Sequence, residues 1–290
     1  MAERQSNGLG ILVMMAAMAG FILNDMLVKL AGESLPLSQI VVLRSFFVFV
    51  LLSGLIYFQS GFSTLAPLRE KAVTIRILGE IGATVLYLSA LFRMPLANAT
   101  AILQVLPLVV TAGSALFLGE RVGWRRWTAI TIGLMGVLLI VRPGLAGFDS
   151  WSLVAFSAVF FMALRDLATR QMSPNVSTFA VAWLTSIAVG ILGILLAPFE
   201  EWQPVSAGSL LFLAGAAGFI LLAYVFIIMA MRTGDIAVIS PFRYSIILWA
   251  IAIGYLVWDD IPDLPTQVGI AILVATGIYT FLRERGQSQQ

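Results

Sequence analysis

The sequence contains neither cysteine nor histidine, and few of its residues are charged. Without cysteine the chain has no disulfide, no thiolate nucleophile and no cysteine-ligated metal. Without histidine it lacks the commonest catalytic base and the commonest metal ligand. We therefore expect no catalytic residue, no metal site and no cofactor. The net charge is only +2, which gives no large basic field for binding nucleic acid.

Apolar residues make up most of the sequence. The 290 residues are 60% hydrophobic and 11% charged, whereas soluble domains have roughly 45–50% and about 25%. A soluble protein of this size needs more charge to cover its surface, but a protein surrounded by hydrocarbon does not. The composition predicts an all-α integral membrane protein, with the lipid bilayer as its surroundings.

Long apolar runs follow one another with little between them. A membrane-spanning helix needs about 20 mostly apolar residues. The runs that approach this length are residues 8–30, 36–58, 72–92, 96–118, 124–141, 150–170, 174–197, 207–231, 236–258 and 265–282. The first also imitates a secretory signal peptide at Ala17-Met18-Ala19, but its apolar stretch continues to Leu23. We predict ten transmembrane helices and no linker long enough for a soluble domain.

Lysine and arginine are unevenly divided between the predicted loops. With the N-terminus inside, the inner loops and tails hold twelve of them: Arg4, Arg69, Lys71, Arg76, Arg121, Arg125, Arg126, Arg165, Arg170, Arg232, Arg283 and Arg285. The outer loops hold three, which are Lys29, Arg93 and Arg142. Because positive charge is retained on the cytoplasmic side, we expect a multi-pass protein with both termini cytoplasmic.

Polar landmarks recur along the chain at a nearly constant spacing. Asp25 near the end of the first run is matched by Asp166 near the end of the sixth, 141 residues later. Arg93 after the third run is matched by Arg232 after the eighth, 139 residues later. Helices of similar composition can look alike by chance, but chance does not explain the agreement in spacing.

The spacing divides the chain into two repeats, residues 1–145 and 146–290. Each holds five predicted helices, and because five is odd the second repeat enters the membrane from the opposite side. The sequence therefore predicts two inverted five-helix repeats. That plan is common among secondary transporters, whose substrate site lies near the bilayer midplane between the repeats.

Several motifs resemble a known family. They are Leu35-Pro36 with Val42-Leu43-Arg44-Ser45-Phe46, Tyr87-Leu88 through Arg93 with Ala97-Asn98-Ala99, and Leu116-Phe117-Leu118-Gly119-Glu120-Arg121 followed by Gly133 to Val137. On these residues the chain resembles the drug/metabolite transporter superfamily, in its EamA-type ten-helix branch. The resemblance covers essentially the whole chain. The second half departs from the pattern, since Trp258-Asp259 stands where the family often has Gly-Glu.

The resemblance implies a general function but does not identify one substrate. It implies a secondary transporter, not an enzyme, that moves a small organic metabolite across a bacterial-type inner (plasma) membrane by alternating access. In the Asn24-Asp25-x-x-x-Lys29 ending of its first predicted helix, the chain is similar to importers of vitamins and nucleoside-type metabolites, such as riboflavin or S-adenosylmethionine. An amino-acid or drug efflux carrier remains open, as does an intramembrane enzyme without His or Cys. A homodimer is also left open.

Ionisable groups inside the spans are the main candidates for a substrate site. An ionisable group at the bilayer centre costs at least ~2.5–3.5 kcal/mol on insertion scales. At about 1.5 Å per residue, Arg44 and Glu80 lie roughly 12 Å below opposite edges of the membrane. Arg243 follows Pro241, which removes a helix hydrogen bond and predicts a local break. Gln104 is the repeat mate of Arg243. We predict a substrate-binding pocket between the repeats, bounded by Arg44, Glu80, Gln104 and Arg243.

Each of these residues also has a structural interpretation. Arg44 either contacts an anionic or carbonyl group of the substrate or forms an internal ion pair or helix cap. Glu80 either binds substrate or a proton, or pairs with Arg76 one helical turn away. Gln104 either binds a ligand or makes an interhelical hydrogen bond of about 0.6 kcal/mol.

Two aromatic and two acidic residues complete the candidates. Tyr87 and Tyr244 lie within spans, where their rings could stack on a planar substrate or pack in the core. Asp25 and Asp166 lie near the outer and inner ends of helices that the repeat relates. That placement favours gates or interface caps over a midplane site, and Asp25 could instead pair with Lys29 at i,i+4.

Overall fold

The computed structural model describes residues 7–59, 70–119, 123–142, 148–173, 176–233 and 236–288, and within them it contains helices and no strand. The helices are α1 (Asn7–Gly32), α2 (Leu37–Gln59), α3 (Lys71–Leu91), α4 (Leu96–Leu103), α5 (Leu106–Phe117), α6 (Trp124–Val141), α7 (Ser150–Arg170), α8 (Thr178–Leu196), α9 (Ala207–Thr233), α10 (Ile236–Ile239), α11 (Ser245–Trp258) and α12 (Leu264–Ser288). Short 3-10 segments follow α8 at Ala197–Phe199 and α10 at Ser240–Tyr244. Arg4, Arg69 and Arg121, which contribute to the predicted inner-side charge, lie outside the described residues.

The lengths of the apolar segments confirm the predicted fold class. Eight segments in the described part of the chain are long and apolar enough to cross a membrane. Two shorter apolar stretches, Trp127–Val141 in α6 and Leu264–Tyr279 in α12, supply the fifth and tenth spans. The protein is an all-α membrane protein, and these ten segments coincide with the ten runs identified in the sequence.

Two of the spans are interrupted. The ninth breaks at Ser240–Tyr244, where Pro241 was predicted to disrupt the helix, and this prediction is confirmed. The fourth was predicted as one continuous helix, but it is divided into α4 and α5 at Gln104-Val105. Pro107 has no N–H to donate, and the N–H groups of Gln104 and Val105 bond to carbonyls three residues back, at 3.1 and 3.2 Å.

The ends of the fourth and ninth spans share an unusual backbone conformation. Gly119 after α5 has φ +70°, and Asp259 after α11 has φ 57°. Aspartate is one of the few non-glycine residues that enter this left-handed region readily. Asp259 therefore ends its span with the backbone conformation that Gly119 adopts in the first half.

The chain folds into two compact units. The first comprises Met1–Met26, Met94–Leu153 and Phe219–Gln290, and the second comprises Leu27–Arg93 and Val154–Gly218. Each unit takes segments from both halves of the sequence. The units are therefore not the same as the sequence repeats.

In the first unit, α1 contributes to the core and α6 packs along α12. Met14, Ala17 and Met18 of α1 form a buried cluster with Ala230 and Ile239. A Cβ atom at Gly269 of α12 would lie 2.6 Å from the carbonyl oxygen of Gly136 in α6. Glycine at position 269 therefore allows the two backbones to approach closely, and a Cβ at Gly136 would also be tight, 3.1 Å from the carbonyl oxygen of Gly269.

An ion pair joins the C-terminal end of α6 to the start of α12. Arg142 donates to the carboxylate of Asp263 and, at 3.1 Å, to the hydroxyl of Thr266. The hydrogen bond from Arg142 lowers the pKa of Asp263 to about 2. Asp263 therefore stays ionised, and paired with Arg142, at physiological pH.

In the second unit, α2 packs along α8, and the segment after α8 is fastened to the start of α2. Glu200 accepts a hydrogen bond from the backbone N–H of Ser38 at 2.7 Å, and Trp202 donates to the Ser38 hydroxyl at 2.9 Å. The Gln39 amide pairs with the main chain of Gln203, donating at 2.7 Å and accepting at 3.0 Å. We call this set the α2 latch.

Candidate functional site

The predicted site residues are divided evenly between the two compact units. The second unit holds Arg44 on α2, Glu80 and Tyr87 on α3, and Asp166 on α7. The first unit holds Asp25 on α1, Gln104 at the break between α4 and α5, and Arg243 and Tyr244 in the 3-10 segment.

A charged cluster links α3 to α7 in the second unit. Arg165 donates from its NH1 to Glu80 Oε2 at 3.2 Å and from its Nε to Asp166 Oδ1 at 2.8 Å. The side chains are partly exposed, with fractions of 27% for Glu80, 19% for Arg165 and 36% for Asp166. Two carboxylates thus share one guanidinium, an arrangement that can exchange partners when a cationic or hydrogen-bonding ligand enters.

Two glycines on α3 bring α7 close enough to form this cluster. A Cβ atom at Gly79 would lie 2.8 Å from the backbone nitrogen of Arg165 and 2.9 Å from the carbonyl oxygen of Phe161. One turn away, Gly82 lies against the ring of Phe161. Because Glu80 follows Gly79 directly, the close helix contact sets the carboxylate beside Arg165.

The structure corrects the alternative pairing of Glu80 with Arg76. Arg76 instead donates to the hydroxyl of Thr185 on α8, at 3.0 Å. The i,i+4 spacing on α3 permits the Arg76–Glu80 pair, but α7 supplies a guanidinium directly beside Glu80. Sequence reasoning missed Arg165 as the partner of Glu80. The only local signal was the Gly79-x-x-Gly82 pattern, which indicates close packing without identifying the neighbouring helix.

Arg44 differs from Arg76 and Arg165 in the same unit. Its Nε is buried and has no hydrogen-bond partner among the residues that the structure describes. The next residue, Ser45, lies in the α2–α8 contact, 3.3 Å from where a Cβ at Gly190 would be. From the sequence, Arg44 has two structural interpretations, an internal ion pair and a hydrogen bond to helix carbonyls. In the described part of the chain Arg44 forms neither of these interactions.

An aromatic pair that sequence reasoning did not select lies between the same two helices. The rings of Phe49 and Trp183 have centroids 5.5 Å apart, and the indole N–H of Trp183 donates to Ser53 at 2.9 Å. Tyr87, which was selected, is buried to 7% exposure. Its ring therefore packs in the core, and stacking of Tyr87 on a substrate stays a prediction.

In the first unit, buried polar atoms gather around the two helix breaks. Gln104 Nε2 donates to the carbonyl of Thr100, at 3.4 Å. Within the described residues, the Asn98 side-chain oxygen and the Thr100 and Ser245 hydroxyls are buried without a partner. These three were not selected from the sequence, because small polar residues are common in helix contacts. Together they give the broken helices α4 and α11 unused hydrogen-bonding capacity.

The remaining first-unit candidates lie near the surface of that unit or in helix contacts. Arg243 is exposed, and the hydroxyl of Tyr244 lies against Gly277 of α12. Asp25 accepts a hydrogen bond from the Asn24 amide at 2.8 Å. A gating role for Asp25 and Asp166 stays a prediction.

Comparisons with known proteins point to one family. A model described as the EamA-like transporter family matches residues 8–142 and again residues 149–283. A pseudopaline exporter from Pseudomonas aeruginosa is 28% identical over 287 residues, which is 94% of this chain and 97% of that protein. An S-adenosylmethionine uptake transporter from Rickettsia conorii is 24% identical, over 90% of this chain and 88% of its own length.

Two further comparisons extend this result. A riboflavin transporter from Vibrio cholerae is 29% identical over 68% of this chain and 66% of its own length. A crystal structure superposes with a TM-score of 0.64 at 21% identity, covering 95% of this chain and 98% of that one. The crystal structure supports the fold, and the two consecutive family matches establish a tandem repeat.

Proposed function

We propose that this chain, which belongs to the EamA-like transporter family, moves a small metabolite with an anionic group across the membrane by alternating access. Small-metabolite transport follows from the family and from the relatives named as transporters. The anionic group is our inference from Arg44. The observation that carries the proposal is the buried Nε of that residue, which has no partner among the described residues.

Arg44 needs a partner that the described part of the protein does not supply. A guanidinium carries five N–H donors in a fixed plane, which match a carboxylate or phosphate with two parallel hydrogen bonds. In the same unit, Arg76 bonds to Thr185, and Arg165 bonds to Glu80 and Asp166. Among these three arginines, Arg44 has a buried Nε donor without a partner in the described part of the chain, and this donor is available for a substrate.

The depth of Arg44 favours a substrate over a lipid headgroup as its partner. The residue lies eight positions after Pro36, or roughly 12 Å along the helix at about 1.5 Å per residue. In a hydrocarbon core of ~30 Å this depth approaches the middle of the bilayer. Arginines nearer the ends of a span can extend to the headgroups, but the buried Nε of Arg44 points to an interior partner.

This requirement separates the substrates named for the relatives. S-adenosylmethionine carries an amino-acid carboxylate, whereas riboflavin has neither a carboxylate nor a phosphate. Arg44 therefore favours a metabolite of the S-adenosylmethionine kind over riboflavin. The relatives include both an uptake transporter and an exporter, so uptake and export are both candidate directions.

The predicted membrane and topology belong to the same proposal. The chain would lie in a bacterial-type inner membrane with both termini cytoplasmic, as the twelve inner and three outer lysines and arginines indicate. The repeats would be residues 1–145 and 146–290, which the family matches at 8–142 and 149–283 support. Alternating access would move inverted repeats against each other around a fixed site.

Transport by the purified protein in liposomes tests the proposal. Radiolabelled S-adenosylmethionine should enter by counterflow, with acceleration when unlabelled substrate is inside, whereas riboflavin should not. Arg44→Gln should raise the KM about tenfold or more, because a hydrogen bond to a charged group contributes about 1.5–3 kcal/mol. Arg232→Gln, an exposed arginine at the end of α9, should leave the KM unchanged.

Three results would contradict parts of the proposal. An unchanged KM for Arg44→Gln would remove the anion-binding role of Arg44. Transport of riboflavin but not of S-adenosylmethionine would refute the substrate class. Flux without trans-acceleration would indicate a channel rather than a carrier.

A further inference from the structure

A groove of about 360 Å³ lies between α6 and α12, entirely within the first unit. Its walls are mainly apolar and include Ile132 and Ala275, and aromatic residues Trp124 and Tyr279 also line it. Trp124 is 73% exposed and Tyr279 is 46% exposed. The groove therefore opens away from the unit rather than into its core.

One end of the groove carries positive charge. Arg125 lies over the ring of Trp124, with its guanidinium carbon 5.2 Å from the ring centroid. Arg125 is exposed and has no carboxylate partner within the described residues. It lines the groove in the first turn of α6. A cation at one end of an apolar groove suits a ligand with an anionic head and an apolar body.

The N-terminus of α6 adds to this charge. The residue before the helix, Gly123, gives no side-chain cap, and the first turn contains no acidic residue. The first N–H groups of a helix carry a partial positive charge that an anion stabilises. Arginines stand at positions 125 and 126 in this first turn, although acidic residues near a helix N-terminus would stabilise the helix. The helix start and Arg125 thus both favour an anion at this end of the groove.

The start of α6 places this end at headgroup depth. Trp124 and Arg125 are the first two residues of this helix, which has 18 residues. At about 1.5 Å per residue α6 is about 27 Å long, close to the ~30 Å hydrocarbon core, so its first turn lies near the membrane surface. Tryptophan, tyrosine and arginine at the ends of such helices lie where the lipid headgroups are.

We propose that this groove is a binding site for an anionic phospholipid. The lipid phosphate lies against Arg125 and the start of α6, and one acyl chain follows the groove past Ile132 and Ala275. A second copy of the chain fits less well, because a two-fold interface on this face would bring another Arg125 toward the same charged end. The groove belongs to the first unit and Arg44 to the second, and the lipid site does not depend on the identity of the transported substrate.

Lipid binding to the purified protein in detergent tests the site. The probes are phosphatidylglycerol and phosphatidylcholine with identical palmitoyl and oleoyl chains. Native mass spectrometry should show tighter binding of phosphatidylglycerol, which should also raise the melting temperature more. Arg125→Gln should weaken phosphatidylglycerol binding about tenfold and remove its advantage over phosphatidylcholine. Arg232→Gln, the matched loss of an exposed arginine, should retain that advantage.

Filling the groove tests the acyl-chain contact separately. Ala275 is exposed, so Ala275→Trp should fill the groove with little effect on folding and weaken both lipids. Equal losses for Arg125→Gln and Arg232→Gln would overturn the site in favour of general surface charge. Unchanged lipid binding by Ala275→Trp would refute the groove as the acyl-chain site. Efficient disulfide formation between copies carrying Ile132→Cys would show that a second protein copy occupies the groove.

Discussion

At the scale of single residues, Glu80 is the acidic group whose surroundings most suit a role in transport. It shares Arg165 with Asp166 across the α3–α7 contact. Glu80→Gln keeps the shape of the side chain but removes the charge that attracts Arg165. We expect the initial rate of counterflow in liposomes to fall about tenfold, as for loss of one charge-assisted hydrogen bond.

The matched control for Glu80→Gln is Glu33→Gln, an exposed position between α1 and α2, which should transport normally. Equal losses in the two variants would count against a site at Glu80. The double variant with Arg165→Gln separates two roles. If Glu80 acts only by positioning Arg165, the double variant should transport no worse than Arg165→Gln alone.

The candidate site residues of the second unit were predictable only in part. Arg44 and Glu80 could be selected from the sequence, because depth along a helix follows from residue number and buried charge is unfavourable. Arg165, the partner of Glu80, could not, because it lies 85 positions away and local spacing favoured Arg76. The lack of a partner for the Arg44 Nε in the described part of the chain was equally unpredictable, since the sequence does not say which donors find partners.

At the scale of helices, the α3–α7 contact depends on the absence of a side chain at Gly79. The Cβ of Gly79→Ala would lie 2.8 Å from a backbone nitrogen and 2.9 Å from a backbone oxygen of α7. Backbone atoms cannot turn aside, so the helices must separate. We expect a loss of about 1–3 kcal/mol in stability, measured as a lower melting temperature in detergent, together with reduced transport.

Gly54 on α2 provides the control for this prediction. A Cβ atom there would meet nothing within 4 Å, so Gly54→Ala should leave the melting temperature unchanged or raise it slightly. Equal melting temperatures for the two alanine variants would mean that the close helix approach at Gly79 does not stabilise the protein.

Helix positions were more predictable than helix contacts. The ten spans follow from apolar length alone, because hydrocarbon requires every backbone group to bond within its own helix. The break at Pro241 followed from the missing N–H of proline. The break at Gln104-Val105 did not, because Pro107 lies beyond it in an otherwise apolar run. The α2 latch was also not predictable. Nothing in the sequence marks Gln39 and Gln203 as partners, and only the fold brings them together.

At the scale of the whole molecule, the sequence repeat and the compact units divide the chain differently. The repeat is continuous in sequence, and the family model matches it twice. Each compact unit instead combines segments from both halves. Spacing of landmarks such as Asp25 and Asp166 detects common ancestry or symmetry, but it carries no information on which helices pack together. That is why the repeat was predictable and the grouping of helices was not.

The inverted arrangement predicts that both termini lie on the same side of the membrane, and the lysine and arginine distribution predicts that this side is the cytoplasm. The absence of cysteine makes single introduced cysteines unambiguous reporters. In intact spheroplasts, a membrane-impermeant maleimide should label Glu33→Cys in the predicted outer loop but neither Ala2→Cys nor Gln290→Cys, and lysis should make both termini reactive. Labelling of only one terminus before lysis would require an odd number of spans. The second repeat could not then be the inverted counterpart of the first, and the rocking motion between inverted repeats would lose its basis.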